Sequence, residues 1–290
     1  MKVYVALCEG PHDIALIGKI LKVYGFALVD GTVSTFPHPM NRMTKKSIEA
    51  AAVSTKHIEQ GISSYKIPRA VYHCGEDCYV FLHSMGGDSH QTESKELIGI
   101  YEDFYQSFAF GNPDHIESFA YTIFYDADSI GVDGRVQQIR ETFGDLCVEQ
   151  GARIASGSML VPMMASHSSL GCYVFHDPDD SQQRGSLEDL LLHMMRRNNE
   201  TIFRRAEEYL QAGRSALLGA DSESETVRDK EYDPSNGKYK GGYKYHEKKS
   251  LIAAAGQLQF SGMQNAVTIL KSDYITREDI LENEECDKIA

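Results

Sequence analysis

The chain has 290 residues, with 29 Lys and Arg against 42 Asp and Glu, a formal net charge of −13. This acidic balance argues against a protein that coats nucleic acid through a broadly basic surface. No apolar run approaches the roughly 18 residues that a membrane helix needs. The N-terminus shows no secretory signal, and the six scattered cysteines are typical of reduced thiols, so we expect a cytoplasmic protein.

Short apolar runs alternate with segments of helical periodicity along most of the sequence. The predicted strands cover residues 2–8, 70–72, 79–82, 117–125 and 172–175. The predicted helices cover residues 12–24, 44–60, 92–109, 132–150 and one long stretch from about 187 to 210. This alternation predicts an α/β fold with a mostly parallel sheet flanked by helices.

Composition divides the chain into three predicted parts. Residues 1–211 form the α/β domain, with an insertion at about 30–68 after the first strand–helix unit. Aliphatic side chains nearly vanish over residues 219–247, and residues 212–247 are expected to form a flexible basic and aromatic loop. Helical periodicity resumes at 248, so residues 248–290 are expected to be a helical section that packs on the same domain.

Carboxylates follow two of the predicted strands directly. Glu9 ends the first strand and Asp13 lies in the first turn of the next helix, while Asp126 and Asp128 end the strand at 117–125. Ligands of open α/β sheets bind at the carboxyl ends of parallel strands. Four negative charges in that small volume are costly without a cation, and Mg²⁺ prefers carboxylate oxygens. The two clusters therefore predict a divalent-metal site.

A third motif precedes the long predicted helix. Ser186 and Asp189 fit the pattern of a capped helix N-terminus, and taken alone the capping interpretation is preferred. Together with the two acidic clusters, the Gly-Ser-x-Glu start at Gly185–Glu188 resembles the Toprim domain, the metal-binding catalytic domain of topoisomerases, primases and some nucleases. The likeness is nearest to stand-alone relatives of the OLD-family nucleases. It spreads over residues 3–260, although about fifteen positions carry it.

The resemblance implies roles for individual residues. It implies a site for Mg²⁺ or Mn²⁺, with two ions, held by Glu9, Asp13, Asp126, Asp128, Ser186 and Glu188. It also implies a catalytic lysine shortly before the final helical section. Lys248 is the preferred candidate and Lys249 the second, with a solvated pair of lysines as the alternative. Glu9 is expected to ligate an ion or to act as a general base.

A basic strip, formed by residues 238–245 with Lys248 and Lys249, is interleaved with aromatic side chains. Lysines pair with phosphates and tyrosines stack on bases, so this strip predicts a flap that binds nucleic acid. An exposed surface loop is the equally weighted alternative. The candidate contacts are Lys240, Tyr243, Lys244 and Lys249.

The leading functional hypothesis is a metal-dependent Toprim nuclease that hydrolyses DNA or RNA, in phage defence or DNA processing. No phosphate-binding G-x-x-x-x-G-K-[ST] motif occurs, so any ATPase partner is expected to be a separate protein. The sequence leaves a homodimer open. One alternative is a non-catalytic Toprim-fold module that binds metal or nucleic acid. Another is a small-molecule phosphotransfer enzyme, against which the lack of a D-x-D at the first strand end counts.

Overall fold

The computed structural model describes residues 1–30, 32–54, 65–87, 90–108, 116–151, 153–158, 160–164, 167–217, 232–233, 238–239, 245–259 and 261–290. The chain forms two compact units. The first unit comprises Met1–Leu187 with Arg277–Ala290, and the second comprises Glu188–Thr276.

A seven-stranded sheet forms the centre of the first unit. Its strands are β1 (Lys2–Cys8), β2 (Ala27–Leu28), β3 (Ala70–Cys74), β4 (Cys78–Ser84), β5 (Ser118–Asp126), β6 (Val161–Pro162) and β7 (Ser169–Phe175). They lie in the order β2-β3-β4-β1-β5-β7-β6. The four central strands are parallel, and the outer ones run antiparallel to their neighbours. The predicted α/β class with a mostly parallel sheet is confirmed.

Strand β1 lies at the point where the order of the sheet reverses. The chain first builds β2, β3 and β4 on one side of β1, and then crosses to place β5 on the other side. In register, Cys8 lies opposite Ser84 on β4 and Phe124 on β5, so the residues that follow β1 and β5 emerge at the same edge. Open α/β sheets bind their ligands at such a switch point.

Helices cover both faces of this sheet. They are α1 (Pro11–Val23), α2 (Met40–Ser54), α3 (Gln91–Phe108), α4 (Gly131–Phe143), α9 (Arg277–Leu281) and α10 (Glu284–Ile289). The odd-numbered residues of β1 pack in one core cluster with α3 and α4 side chains such as Leu97 and Ile139. On the other face, Ile17 and Leu21 of α1 lie beside Ala6. Each fully buried side chain of this kind stabilises the fold by about 1.5–3 kcal/mol.

The described part of the second unit is mainly helical. It contains α5, which begins at the last residue of the first unit (Leu187–Arg196), α6 (Glu200–Leu217), α7 (Glu247–Gln259) and α8 (Asn265–Lys271), with the short strands β8 (Tyr232–Asp233) and β9 (Lys238–Tyr239). Phe203 of α6 packs edge-on against Tyr274, whose hydroxyl donates to the carbonyl of Ala255 in α7. These contacts join three separate stretches of sequence into one core.

The prediction of a single long helix from about 187 to 210 is wrong, because two helices, α5 and α6, occupy this stretch. Between them, the backbone amide of Asn199 bonds to the carbonyl of Arg196, and the Asn199 side chain donates to the carbonyl of Met195 at 3.0 Å. Asparagine competes for backbone groups in this way and so favours helix ends over helix interiors. The apolar periodicity continues across the break and therefore hides it in the sequence.

Helices occupy most of the section from 248 to the end. They are α7 and α8 in the second unit and α9 and α10 in the first. The loop predicted at 212–247 lies largely outside the described residues. In the portions of the chain that the structure describes, no helix has the length and hydropathy needed to cross a membrane.

A buried histidine links β4 to α3 in the first unit. The Nδ1 of His83 bonds to the carbonyl of Tyr65 at 2.7 Å, and its Nε2 bonds to the hydroxyl of Tyr101 at 2.8 Å. A carbonyl only accepts, so Nδ1 carries the proton and Nε2 accepts from the tyrosine. Burial lowers the pKa of His83 to about 4, against the opposing effect of the Tyr65 carbonyl. The folded state therefore holds a neutral imidazole.

We predict that this histidine makes the protein less stable in acid. Because the unfolded chain binds its proton at a pKa of about 6.5, the free energy of unfolding falls as the pH drops from there towards 4. Between about pH 7.5 and about pH 5 the loss from His83 is about 2 kcal/mol. Urea unfolding of wild type, His83→Gln and the exposed-site control His167→Gln at the two pH values measures it. An equal pH dependence in His83→Gln and wild type would contradict the prediction.

Candidate metal centre

The end of β1 and the end of β5 are joined by a carboxylate. Glu9 follows β1 directly, and its Oε1 accepts a hydrogen bond from the backbone amide of Asp126 at 3.0 Å. Asp126 in turn accepts through Oδ1 from the backbone amide of Leu187 at 2.7 Å. Leu187 is the first residue of α5, where unpaired amides and the helix dipole favour a negative charge. Three distant stretches of sequence thus meet through two carboxylates.

Asp13 lies at the start of α1, one turn from Glu9. Its Oδ2 accepts from the backbone amide of Gly10 at 2.7 Å, which satisfies an amide at the helix N-terminus. The side chain is buried, and its negative charge acts on Cys8 at the end of β1. Burial, and secondarily the charge of Asp13, raise the pKa of the Cys8 thiol well above its usual value. Cys8 is therefore a packing residue and does not supply a thiolate.

Asp128 is placed by a short backbone bridge. Its amide donates to the carbonyl of Gly185 at 2.6 Å, and the amide of Gly185 donates back at 2.8 Å. Asp128 has a φ of 50°, in the left-handed region that aspartate tolerates, and Gly185 has a φ of 112°, which favours glycine. The bridge brings the segment that carries Asp126 and Asp128 beside the one that carries Ser186.

Arg135 of α4 is a site residue that the sequence analysis missed. Its Nη2 lies 2.6 Å from Asp128 Oδ2, and its Nε donates to the carbonyl of Asp126 at 2.8 Å. The residue is only 5% exposed, whereas the Asp128 side chain is 56% exposed. One available signal is its position next to Val136 on the buried face of α4. A charged side chain on such a face needs a partner.

Two carboxylates and two lysines are paired within the second unit. Lys249 Nζ lies 3.6 Å from Glu188 Oε1, and Lys248 forms an ion pair with Asp189. Both carboxylate side chains are less than a tenth exposed, and both lysines are about half exposed. The carboxylates belong to the first turn of α5 and the lysines to the first turn of α7. Lys249 therefore contacts the predicted ligand Glu188, whereas Lys248 contacts Asp189, the residue next to it in the sequence.

The remaining predicted site residues are Ser186 and the four predicted nucleic-acid contacts. Ser186 is half-buried and directly precedes α5. Asp189, which the sequence pairs with Ser186 in a capping motif, forms an ion pair with Lys248. The backbone amide of Leu187, the first residue of α5, donates to Asp126. Of the predicted nucleic-acid contacts, Lys249 is described, whereas Lys240, Tyr243 and Lys244 lie outside the described residues.

The donors at the edge of the first unit suit a hard divalent cation in their chemistry. Glu9, Asp13, Asp126 and Asp128 offer carboxylate oxygens only, which Mg²⁺ and Mn²⁺ prefer. One oxygen of each is oriented by a backbone amide or by Arg135. Within the described ranges, no three His, Cys, Asp or Glu side chains are grouped closely enough to form a ready-made metal cluster.

Comparisons with known proteins add little to this picture. No protein-family model matches the chain, and no curated protein matches it. Among solved structures, the chain is similar to the crystal structure of hypothetical protein PH0156 from Pyrococcus horikoshii OT3. The identity is 14%, the TM-score is 0.48, and the alignment covers 97% of this chain and 93% of that one.

We predict that Asp128 and Arg135 are energetically coupled. Asp128→Ala removes an anionic partner of a buried guanidinium and is expected to lower the free energy of unfolding by about 1–2 kcal/mol. Arg135→Met removes the charge itself, so the double variant should lose less than the sum of the single losses. Urea unfolding of the four proteins measures the coupling.

The exposed Asp133, in the same helix as Arg135, provides the control for this cycle. Asp133→Ala should stay within about 0.5 kcal/mol of wild type. Additive losses from Asp128→Ala and Arg135→Met would contradict the coupling.

Proposed function

We propose that this protein is a divalent-metal-dependent nuclease of the Toprim type, which hydrolyses phosphodiester bonds of DNA or RNA. One observation carries the proposal. The carboxylate of Glu9 binds the amide of Asp126, and the carboxylate of Asp126 binds the amide of Leu187. The three motifs whose combination resembles the Toprim domain are thus consecutive links of one hydrogen-bonded chain, at the switch point of a parallel sheet.

The proposed cation ligands follow from this arrangement. Glu9, Asp13, Asp126 and Asp128 would hold one ion, and Ser186 and Glu188 would contribute to a second. When bound, such ions activate a water and stabilise charge on the leaving oxygen of a phosphodiester. The amides of Gly10, Asp126 and Leu187 fix the carboxylates before any ion arrives, which reduces the cost of ordering them.

Arg135 would limit how fully Asp128 engages a cation. Its guanidinium already neutralises Asp128, and the same side chain holds the carbonyl of Asp126. We therefore propose that Glu9 and Asp126 are the principal ligands and that Asp128 is a weaker one. Glu9 also suits the role of general base, because a carboxylate at a strand end can accept a proton from an attacking water.

A lysine would supply the positive charge for the substrate. Lys248 and Lys249 are about half exposed, so each ammonium group remains accessible to solvent while a carboxylate orients it. A positive charge placed beside phosphate stabilises the negative charge that develops during hydrolysis. We propose Lys248 for this role, with Lys249 as the alternative, and Lys249 with the strip containing Lys240, Tyr243 and Lys244 as contacts to the polynucleotide.

The biological setting that we propose rests on the resemblance alone. It is phage defence or DNA processing, with a separate ATPase protein as partner. A non-catalytic module that binds metal and nucleic acid is the alternative, and the cleavage experiment below separates the two.

We predict metal-dependent cleavage that requires Glu9. Wild type incubated with Mg²⁺ or Mn²⁺ should cleave supercoiled plasmid or labelled RNA, and Glu9→Gln should lower the rate at least about a hundredfold. Glutamine keeps an acceptor for the amide of Asp126 but removes the negative charge, so the fold is preserved. Lys248→Ala should produce a loss of similar size if this lysine stabilises the phosphate.

Asp133→Asn is the matched control, because it removes one exposed carboxylate outside the site. It should cleave like wild type. Cleavage by Glu9→Gln at the wild-type rate would overturn the proposal. Absence of cleavage by wild type, with metal still raising its melting temperature, would favour the binding module.

A further inference from the structure

An open polar trough of about 640 Å³ lies beside the candidate metal centre, wholly within the first unit. Asp128 and Arg135 form the wall that it shares with the carboxylate cluster. The other walls include Gln91 at the start of α3, Gln138 of α4 and Ile130, which is 44% exposed. The trough exceeds the roughly 300 Å³ at the lower end of small-molecule pockets.

The two glutamines have their carbonyl oxygens occupied by internal donors. Gln91 Oε1 accepts from the hydroxyl of Thr142 at 2.9 Å, and Gln138 Oε1 accepts from Arg135 Nη1 at 3.0 Å. Neither amide nitrogen donates a hydrogen bond to another part of the chain that the structure describes. An amide NH₂ group carries two donors, so the trough offers donors to a ligand that bears acceptors.

The charge of the lining decides which part of a ligand belongs there. Arg135 is paired with Asp128, and Glu141 accepts from the amide of Gln137, so one guanidinium faces two carboxylates. This net negative balance disfavours phosphate. The trough suits a neutral group that has acceptor atoms at its edge and an apolar face. The exposed side chain of Ile130 offers an apolar contact for such a face.

We infer that the trough is a nucleoside subsite, which binds the base of the nucleotide next to the phosphate that is cleaved. The amide nitrogens of Gln91 and Gln138 donate to ring nitrogens or carbonyl oxygens of the base, and Ile130 packs against its face. This inference rests on the proposed function, because it places the scissile phosphate at the adjoining carboxylates. It adds a preference for a base-bearing substrate.

Binding of uncharged nucleosides tests the subsite without any cleavage. The full chain is titrated with uridine and with adenosine and followed by ligand-observed NMR, in the absence of metal. Gln138→Leu should weaken binding by about tenfold, because it removes one donor to the base. Gln106→Leu is the matched control, since Gln106 of α3 is also an exposed helical glutamine but does not line the trough.

The outcomes separate the subsite from the proposed function. Binding to wild type and Gln106→Leu, with loss in Gln138→Leu, supports the subsite even if no polynucleotide is cleaved. No nucleoside binding to wild type, or equal binding to Gln138→Leu and Gln106→Leu, overturns the subsite. Such a result overturns the subsite even if metal-dependent cleavage is observed, because the cleavage experiment with Glu9→Gln tests the proposed function independently.

Discussion

The first unit depends on carboxylates that bind backbone amides at the carboxyl ends of parallel strands. Glu9 links β1 to β5, and Asp126 links β5 to the first residue of α5. Each carboxylate replaces the water that would otherwise solvate an amide at a strand end or a helix start. Charged acceptors form the stronger class of hydrogen bond, so these links also fix where the side chains stand. The same oxygens that organise the fold are those that a cation would use.

Carboxylates that lie close together repel one another unless other groups of the protein neutralise or bind them. Arg135 neutralises one carboxylate from inside the fold, and Asp13 is held by the amide of Gly10 at the start of α1. In the second unit, Lys248 and Lys249 do the same for Asp189 and Glu188. These four carboxylates therefore have fixed internal partners. A cation bound as we propose would have to compete with these partners or share their carboxylates, so its affinity would be modest and would depend strongly on the charge of each ligand.

The sequence predicts the sheet and its acidic edge well, because both follow from local pattern. A buried parallel strand is a continuous apolar run, and Glu9 and Asp126 stand where such runs stop. The partners of these residues are not local. The bond from Asp126 to Leu187 depends on strand order, which no periodicity reveals, and Arg135 lies in a helix where arginine is usually solvated. The break at Asn199 is missed because the apolar periodicity continues across it.

Metal binding by the carboxylate chain is the central claim, and direct Mn²⁺ binding tests it. Free Mn²⁺ is followed by electron paramagnetic resonance in wild type, Asp126→Asn and the control Asp133→Asn. Asparagine keeps an acceptor for the amide of Leu187 but removes the charge of the ligand. The account predicts equal binding by wild type and Asp133→Asn and at least about tenfold weaker binding by Asp126→Asn. Equal Mn²⁺ affinity in Asp126→Asn and wild type would contradict it.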